Sequence, residues 1–362
     1  MSYKIDYWLI SSILVLLILG LLIVASLSVN DNPPYYHFYR QLIIVSLSLF
    51  LCLFFSLIDY RLWRNSSYLI VALYLILLLS LFFVFVFGRS WGGSLGWFSL
   101  GNFNIQPAEF MKIALILVLA KYFSSRHLEI WQWRHIFISG IFVALPMSLT
   151  ILQPDLASAL IFLFIWLGIV LLSGIRIKQI LILFLIFSLL ALLSWNFVLK
   201  PYQKERLISF LNPESDIRGS GYNMRQSLIA IGSGGLLGKG LGWGTQTQLK
   251  FLPAAKTDFI FASLAEEVGL MGVLIVFITF GLLFWRLSLL ALNAPNNFAY
   301  LFISGFLIKL IIETSVNLGM NLGLLPIAGL PLPFLSYGGS HLMADFLALG
   351  IIFNIRQNIV LG

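Results

Sequence analysis

Ten apolar runs, each about as long as a bilayer is thick, constrain this chain more than any motif does. They lie near residues 7–29, 40–58, 67–88, 107–123, 135–152, 156–174, 178–198, 260–285, 298–322 and 340–361. About 20 apolar residues in a helix span the hydrocarbon core. Inside that core every backbone N–H and C=O needs a partner from the chain itself, so such runs fold as helices. The expected fold is an all-α polytopic membrane protein with about ten transmembrane helices. One domain covers residues 1–362, with a long extracytoplasmic loop between the seventh and eighth helices. Composition agrees, since 10% of residues are charged where a soluble domain carries about a quarter. The first run has the length of a span and no small-residue cleavage site after it, so it reads as a helix rather than a removable signal. Cys52 is the single cysteine and lies in an apolar run, so it reads as helix packing.

Basic residues orient the bundle. With ten spans both termini share a side, and that side would carry Lys4, Arg61, Arg64, Lys121, Arg126, Arg134, Arg176, Lys178, Arg286 and Arg356. The short loops opposite carry Arg40 and Arg89. The bias places both termini in the cytoplasm and the 199–259 segment outside. That segment holds eight basic and four acidic residues, a net of +4, but long loops are largely exempt from the charge rule. The chain's formal +8 reads as cytoplasmic anchoring and contact with anionic lipid. No nucleic-acid module is visible.

Charges retained in or beside the spans are the functional candidates, because each costs about 2.5–3.5 kcal/mol near the bilayer centre. Glu109 and Lys112 are spaced i, i+3, and Lys309 and Glu313 i, i+4, so each pair shares a helix face. Each pair has a competing reading as a buried ion pair that sets register, which is favoured for Lys309–Glu313 and not for Glu109–Lys112. Asp155, in Gln153-Pro-Asp-Leu156, reads either as a helix cap or as a binding residue. Glu266 and Glu267 follow about two turns into the eighth run, and Asp345 interrupts the last one with no role the sequence supplies. Asp258 stands at the end of the long loop and the lip of the eighth run. It reads either as an N-cap or as a functional acid.

The glycine-rich stretch Gly232-Ser-Gly-Gly-Leu-Leu-Gly-Lys-Gly-Leu-Gly-Trp-Gly244 fails both phosphate fingerprints. Ser233 and Gly240 stand where a P-loop needs Gly and Ser or Thr, and Leu237 replaces the third glycine of a dinucleotide loop. Exposed N–H groups beside Arg225, Lys239, Lys250 and Lys256 suit either a phosphate cradle or lipid headgroups. The sequence shows no spacing typical of metal ligands. A divalent ion, magnesium or manganese, bridging a pyrophosphate and carboxylates stays open, and no cofactor is required.

Taken in order, the motifs resemble the SEDS family (shape, elongation, division and sporulation), in its RodA-like branch. They run from Gln106-Pro-Ala-Glu-Phe-Met-Lys112, Gln153-Pro-Asp-Leu156 and Phe210-Leu-Asn-Pro213 through Gly219-Ser-Gly-Tyr-Asn-Met-Arg-Gln-Ser227 and Ile229-Ala-Ile-Gly-Ser-Gly-Gly235. They continue through Gly238-Lys-Gly-Leu-Gly-Trp-Gly-Thr-Gln-Thr-Gln248, Thr257-Asp-Phe-Ile-Phe261 and Ala265-Glu-Glu267, and close with Pro331-Leu-Pro-Phe-Leu-Ser-Tyr-Gly-Gly-Ser340. The resemblance implies an inverting peptidoglycan glycosyltransferase of cell elongation in the cytoplasmic (inner) membrane. It would polymerise lipid II on the outer face beside a class B penicillin-binding protein. It makes Asp258 the essential acid and maps Glu109, Lys112 and Asp155 onto family motifs. The chain departs at Gly96, at Ala254, Ala255 and Lys256, and at Asp345.

Glycan growth needs a hydroxyl to attack an anomeric carbon as a lipid pyrophosphate leaves. Asp258 is expected to take the hydroxyl proton. Glu109, Lys112, Asp155, Arg225, Lys239 and Lys256 are the expected substrate-binding residues, the cations offsetting charge on the pyrophosphate. A lipid flippase and a non-catalytic scaffold for a transpeptidase are the competing readings. The flippase needs polar groups through the bilayer midplane, whereas the motifs here crowd the outer loop and outer helix ends.

Overall fold

A computed structural model of the chain describes residues 6–91, 94–100, 103–126, 132–197, 201–212, 216 and 219–360. In chain order its helices are α1 (Tyr7–Leu27), α2 (Tyr36–Leu57), α3 (Arg61–Asn65), α4 (Ser67–Phe87), α5 (Pro107–Ser124), α6 (Trp133–Leu152) and α7 (Leu156–Leu172). They continue with α8 (Ile177–Phe197), α9 (Pro201–Leu211), α10 (Ser220–Ser233), α11 (Thr245–Gln248), α12 (Ile260–Leu292), α13 (Asn297–Asn321) and α14 (Ser340–Val360). Among the described residues ten helices have 17 residues or more, and they fall on the ten apolar runs. Six of them are long and apolar enough by themselves to cross a membrane. The rest include α5, which carries Glu109, Lys112 and Lys121, and the 17-residue α7.

Helix α5 is the axis of the bundle. It is apolar on every side, and 15 of its 18 residues are buried, as expected of a helix enclosed by others. It packs against α4, α6, α7, α13 and α14. Pro107 opens it at a position where a missing N–H costs nothing. Three other helices, α1, α7 and α13, start on short polar side chains. Asp6 accepts from the Leu9 N–H at 3.1 Å, Asp155 from Ser158 at 3.0 Å and Asn296 from Ala299 at 3.0 Å.

Charges bind α5, α13 and α14 to one another. Lys112 Nζ donates at 2.8 Å to both Glu109 oxygens and to Glu313 Oε1. Lys309 Nζ donates to Glu313 Oε2 at 2.8 Å and also to Asp345 Oδ1. None of the five side chains belongs to a residue more than 4% exposed. The two pairs expected from helical spacing are thus one network, and Asp345 closes it.

Three features depart from the sequence expectation. First, the short connection between α4 and α5 forms a small antiparallel sheet of β1 (Arg89–Trp91), β2 (Ser94–Leu100) and β3 (Phe103–Ile105). Phe98 lies opposite Ile105, and Leu100 opposite Phe103. Aromatic residues such as Trp97 and Phe98 suit a pleated strand, and the Leu95 N–H ties β2 to the Gln153 carbonyl at 3.2 Å. Second, the long outer loop is itself helical, containing α9, α10 and α11.

Third, the eighth span is longer than its apolar run and is broken at Gly269, where φ is 74° and ψ −164°. The glycine-rich stretch fills the break. Lys239 and Gly240 donate their N–H groups to the Glu266 and Glu267 carbonyls at 3.0 and 2.9 Å. Leu270 and Met271 donate to Gly235 and Leu236 at 2.9 and 3.2 Å. The loop therefore replaces hydrogen bonds that α12 loses at its kink, which is what permits irregular backbone within a bundle. A Cβ at Gly234 would stand 1.9 Å from the Ala265 carbonyl oxygen, and one at Gly238 2.2 Å from that of Glu267. Glycine is required there for close approach.

Replacing Lys309 by Met leaves Glu313 and Asp345 short of a counter-charge, and the thermal midpoint in detergent should fall by the equivalent of about 3–5 kcal/mol. The double replacement Lys309→Met with Asp345→Leu should recover part of that loss in the same melting experiment.

Candidate active site

Asp258 lies on the loop from Phe251 to Phe259, between α11 and α12. The loop turns on itself at Ala254, whose φ is 50° and whose carbonyl accepts from the Thr257 and Phe259 N–H groups at 3.0 and 3.2 Å. Leu252 and Phe259 anchor it in a small apolar cluster with Ala230 and Ala262. The α12 N-cap is Phe259, with no side-chain cap bond. The Asp258 carboxyl is therefore not capping the helix, which removes the bland reading of this acid. It is partly exposed. Burial pushes it above the ordinary aspartate range, outweighing the Thr257 hydroxyl and the Arg206 guanidinium, both of which pull it down.

The backbone around Asp258 is fixed from three directions. Asn317 and Asn321 of α13 each donate to its carbonyl oxygen at 3.0 Å. The Ser336 hydroxyl donates to the Thr257 carbonyl at 2.6 Å, and the Tyr337 N–H to that of Lys256 at 2.9 Å. The Ser263 hydroxyl reaches the Ala255 carbonyl at 3.0 Å.

Lys256 does not stand free for a substrate. Its ammonium donates to Asp31 Oδ1 at 2.6 Å, and Asp31 Oδ2 is 2.7 Å from His37 Nδ1. The His37 ring meets Tyr337 edge-on at 5.3 Å. The connection between α1 and α2 is thereby clamped to the Asp258 loop. Burial raises the Asp31 carboxyl, but Lys256 and His37 overcome it and hold the group at about 2.

The remaining residues expected at a substrate site are spread over separate settings. Glu109 and Lys112 belong to the buried charge network described above. Asp155 does cap α7, through Ser158, and its Oδ2 also accepts from Gln106 Nε2 at 3.2 Å. The Gln106 N–H in turn meets Ser340 Oγ at 2.8 Å, so the starts of α5, α7 and α14 are tied together. Arg225, half-buried on α10, donates to the Asp216 carbonyl at 3.4 Å. Lys239 pairs with the buried Glu266 at 2.8 Å. Glu266 also accepts the Gln246 and Thr247 N–H groups at 2.9 and 3.1 Å, capping α11. Glu267 takes the Ser26 hydroxyl at 2.6 Å and Gln248 Nε2 at 3.1 Å. These acids clasp α11 and the glycine stretch to α12 and α1.

Of the two readings of the glycine stretch, a phosphate cradle or lipid-headgroup contact, the first would have to do without three of its N–H groups. The N–H groups of Gly238, Lys239 and Gly240 all bond to backbone carbonyls, those of Gly234, Glu266 and Glu267. Among the described residues no group of three or more His, Cys, Asp or Glu is set to hold a metal ion.

The sequence did not single out Arg206, Asp31, His37, Asn317 or Asn321. A signal existed for the two asparagines, since amides in an apolar helix imply partners inside the bundle. Nothing in the sequence paired Asp31 with a lysine 225 positions away.

Comparisons with known proteins fit this geometry. Residues 7–359 match the FtsW, RodA and SpoVE family of cell cycle proteins. The chain is 38% identical to the "Probable peptidoglycan glycosyltransferase FtsW" of Coxiella burnetii, over 98% of this chain and 96% of that one. It is also 38% identical to the peptidoglycan glycosyltransferase MrdB of Escherichia coli, over 79% and 77%. A solved structure described as structural coordination of polymerization and crosslinking by a peptidoglycan synthase complex superposes with a TM-score of 0.84. It has 31% identity and 99% of each chain covered.

Removing the Asp31 charge should loosen the clamp. A carboxyl held at about 2 rather than 3.8 contributes stability above pH 3.8 that disappears as pH falls through about 2. Asp31→Asn should lower the thermal midpoint at pH 6, and the gap from the unaltered protein should narrow in melts run progressively below pH 4.

Proposed function

The chain belongs to the FtsW, RodA and SpoVE family, and from that premise we propose that it polymerises lipid II into glycan strands during cell elongation, with Asp258 as general base. The observation that supports this most is the state of Asp258. It is an acid at the lip of α12, not used as a cap, partly open, and raised in pKa by burial. A base of raised pKa accepts a proton more readily.

In the proposed reaction the carboxylate takes the proton from the incoming sugar hydroxyl as that oxygen attacks the anomeric carbon. The carbon–oxygen bond to the pyrophosphate breaks, the configuration inverts, and undecaprenyl pyrophosphate leaves. Negative charge collects on the departing group, and nearby cations stabilise it without donating a proton. Arg206 is close enough to Asp258 to act on its carboxyl, and Arg225 lies on α10, which packs against α9. These two are the cations the geometry favours. Lys112, Lys239 and Lys256 are held by Glu109 and Glu313, by Glu266 and by Asp31. They act by keeping the frame in register, as do Glu109 and Asp155. A magnesium or manganese ion would enter this scheme as a companion of the pyrophosphate, since among the described residues no group of three or more His, Cys, Asp or Glu is set to hold one.

The chain is a multi-pass membrane protein. Its proposed setting is the cytoplasmic (inner) membrane with both termini in the cytoplasm and the Asp258 loop outside, supported by the bias of basic residues. A class B penicillin-binding protein is the proposed partner, supported by the likeness to a chain of a peptidoglycan synthase complex.

Asp258→Asn, purified with that partner and given labelled lipid II, should lose at least about 10²-fold in polymerisation while keeping its thermal midpoint. Glycan chains of normal yield from this variant would remove the base assignment and favour the scaffold reading. For the unaltered protein, log kcat should rise with pH through the raised pKa of Asp258 and then level, because the ionised carboxylate is the active form.

A further inference from the structure

The start of α12 is capped by a side chain of another helix, with none of its own doing so. In an uninterrupted helix the Ala262 N–H would reach back four residues to the Asp258 carbonyl. It donates instead to Asn321 Oδ1 at 3.2 Å, while Asn321 Nδ2 donates to the Asp258 carbonyl at 3.0 Å. The carboxamide of Asn321 is spliced between this N–H, which a first turn leaves without a helical partner, and the Asp258 carbonyl. The first backbone bond of the helix falls one residue later, from the Ser263 N–H to Phe259 O at 3.1 Å.

A carboxamide does this with one rigid planar group, since it carries a donor and an acceptor side by side. Asn321 is itself immobilised. It is fully buried, its Nδ2 also reaches the Asn317 carbonyl at 2.9 Å, and its own carbonyl accepts from the Ser227 hydroxyl at 2.8 Å. Asn317, also buried, donates to Asp258 O and to Leu330 O at 3.0 and 2.7 Å. The last turn of α13 thus touches the Asp258 loop, the start of α12, α10 and the connection to α14.

We propose that Asn321 is a positioning residue for the reaction: its carboxamide holds α12 open at Asp258, so that the acid points out of the helix start toward the acceptor hydroxyl. The proposal rests on Asp258 being the base. Without the splice, Ala262 N–H and Asp258 O are free to pair directly. The helix then extends back through Asp258 and takes the carboxyl into its first turn. There the positive end of the helix dipole favours the ionised form, making the group a weaker base aimed in another direction. A misplacement of about 1 Å at a reacting group is enough to cost about 10²-fold.

The test is Asn321→Leu, close to isosteric and lacking both polar atoms, in the full chain with its transpeptidase partner and labelled lipid II. The expected result is a fall in kcat of about 10²-fold, KM changed by less than about threefold, and no drop in thermal midpoint. The acid limb of the pH profile should move to lower pH. Asn321→Asp keeps an acceptor but turns an oxygen toward the Asp258 carbonyl, and it should not rescue kcat. A kcat within about threefold of the unaltered protein with the acid limb in place would overturn the proposal. A loss of activity that only tracks loss of folded protein would overturn it too, since that marks a structural bond and nothing more. Asp258→Asn in the same assay separates the two levels. If it is inactive while Asn321→Leu is normal, the positioning role alone fails. If Asp258→Asn polymerises normally, the base assignment fails, and the positioning role with it.

Discussion

Five charged side chains without access to water meet where α5, α13 and α14 pack, and each depends on the others. Lys112 is shared by Glu109 and Glu313, and Lys309 by Glu313 and Asp345. Removing one member of such a set leaves a buried charge uncompensated, whereas the intact set costs comparatively little. The network therefore specifies register more than it adds stability. It holds α13 at one height against α5, and α13 carries Asn317 and Asn321 to the Asp258 loop.

A related constraint shapes the other end of the Asp258 segment. Within the bundle, backbone groups that leave a helix must find replacements. The break at Gly269 is tolerated because the glycine stretch supplies carbonyls and N–H groups at the required places. Glu266 and Glu267 then fasten α11 and α1 to the same short piece of α12. Asp258 is consequently presented from a helix segment gripped at both ends, by asparagines before it and by glycines and glutamates after it. In the proposed reaction, a group held this way needs little rearrangement when substrate arrives.

The polar residues divide by what they touch. Those paired within the bundle or between loops serve the frame, and Lys256 shows the division clearly. It is two residues from Asp258 and carries a charge suited to pyrophosphate, yet it is turned to Asp31 and His37. Proximity in sequence to a reactive acid did not predict which way the ammonium faces. Arg206 is the opposite case, remote in sequence and electrostatically coupled to Asp258.

The sequence by itself determined the membrane class and the ten long helices, and it made Asp258 the acid to examine. These follow from composition, from run length and from the cost of placing a carboxylate at a membrane lip, all local properties. It also marked Glu109 with Lys112 and Lys309 with Glu313, because helical spacing of three or four is a local rule. Only the tertiary structure decided that the two pairs are one network closed by Asp345, and that the Lys239 and Gly240 N–H groups serve α12. Only it placed an asparagine from α13 between the first turn of α12 and the Asp258 carbonyl. Those outcomes depend on which helix faces which, at separations of tens to hundreds of residues, and no local period records them.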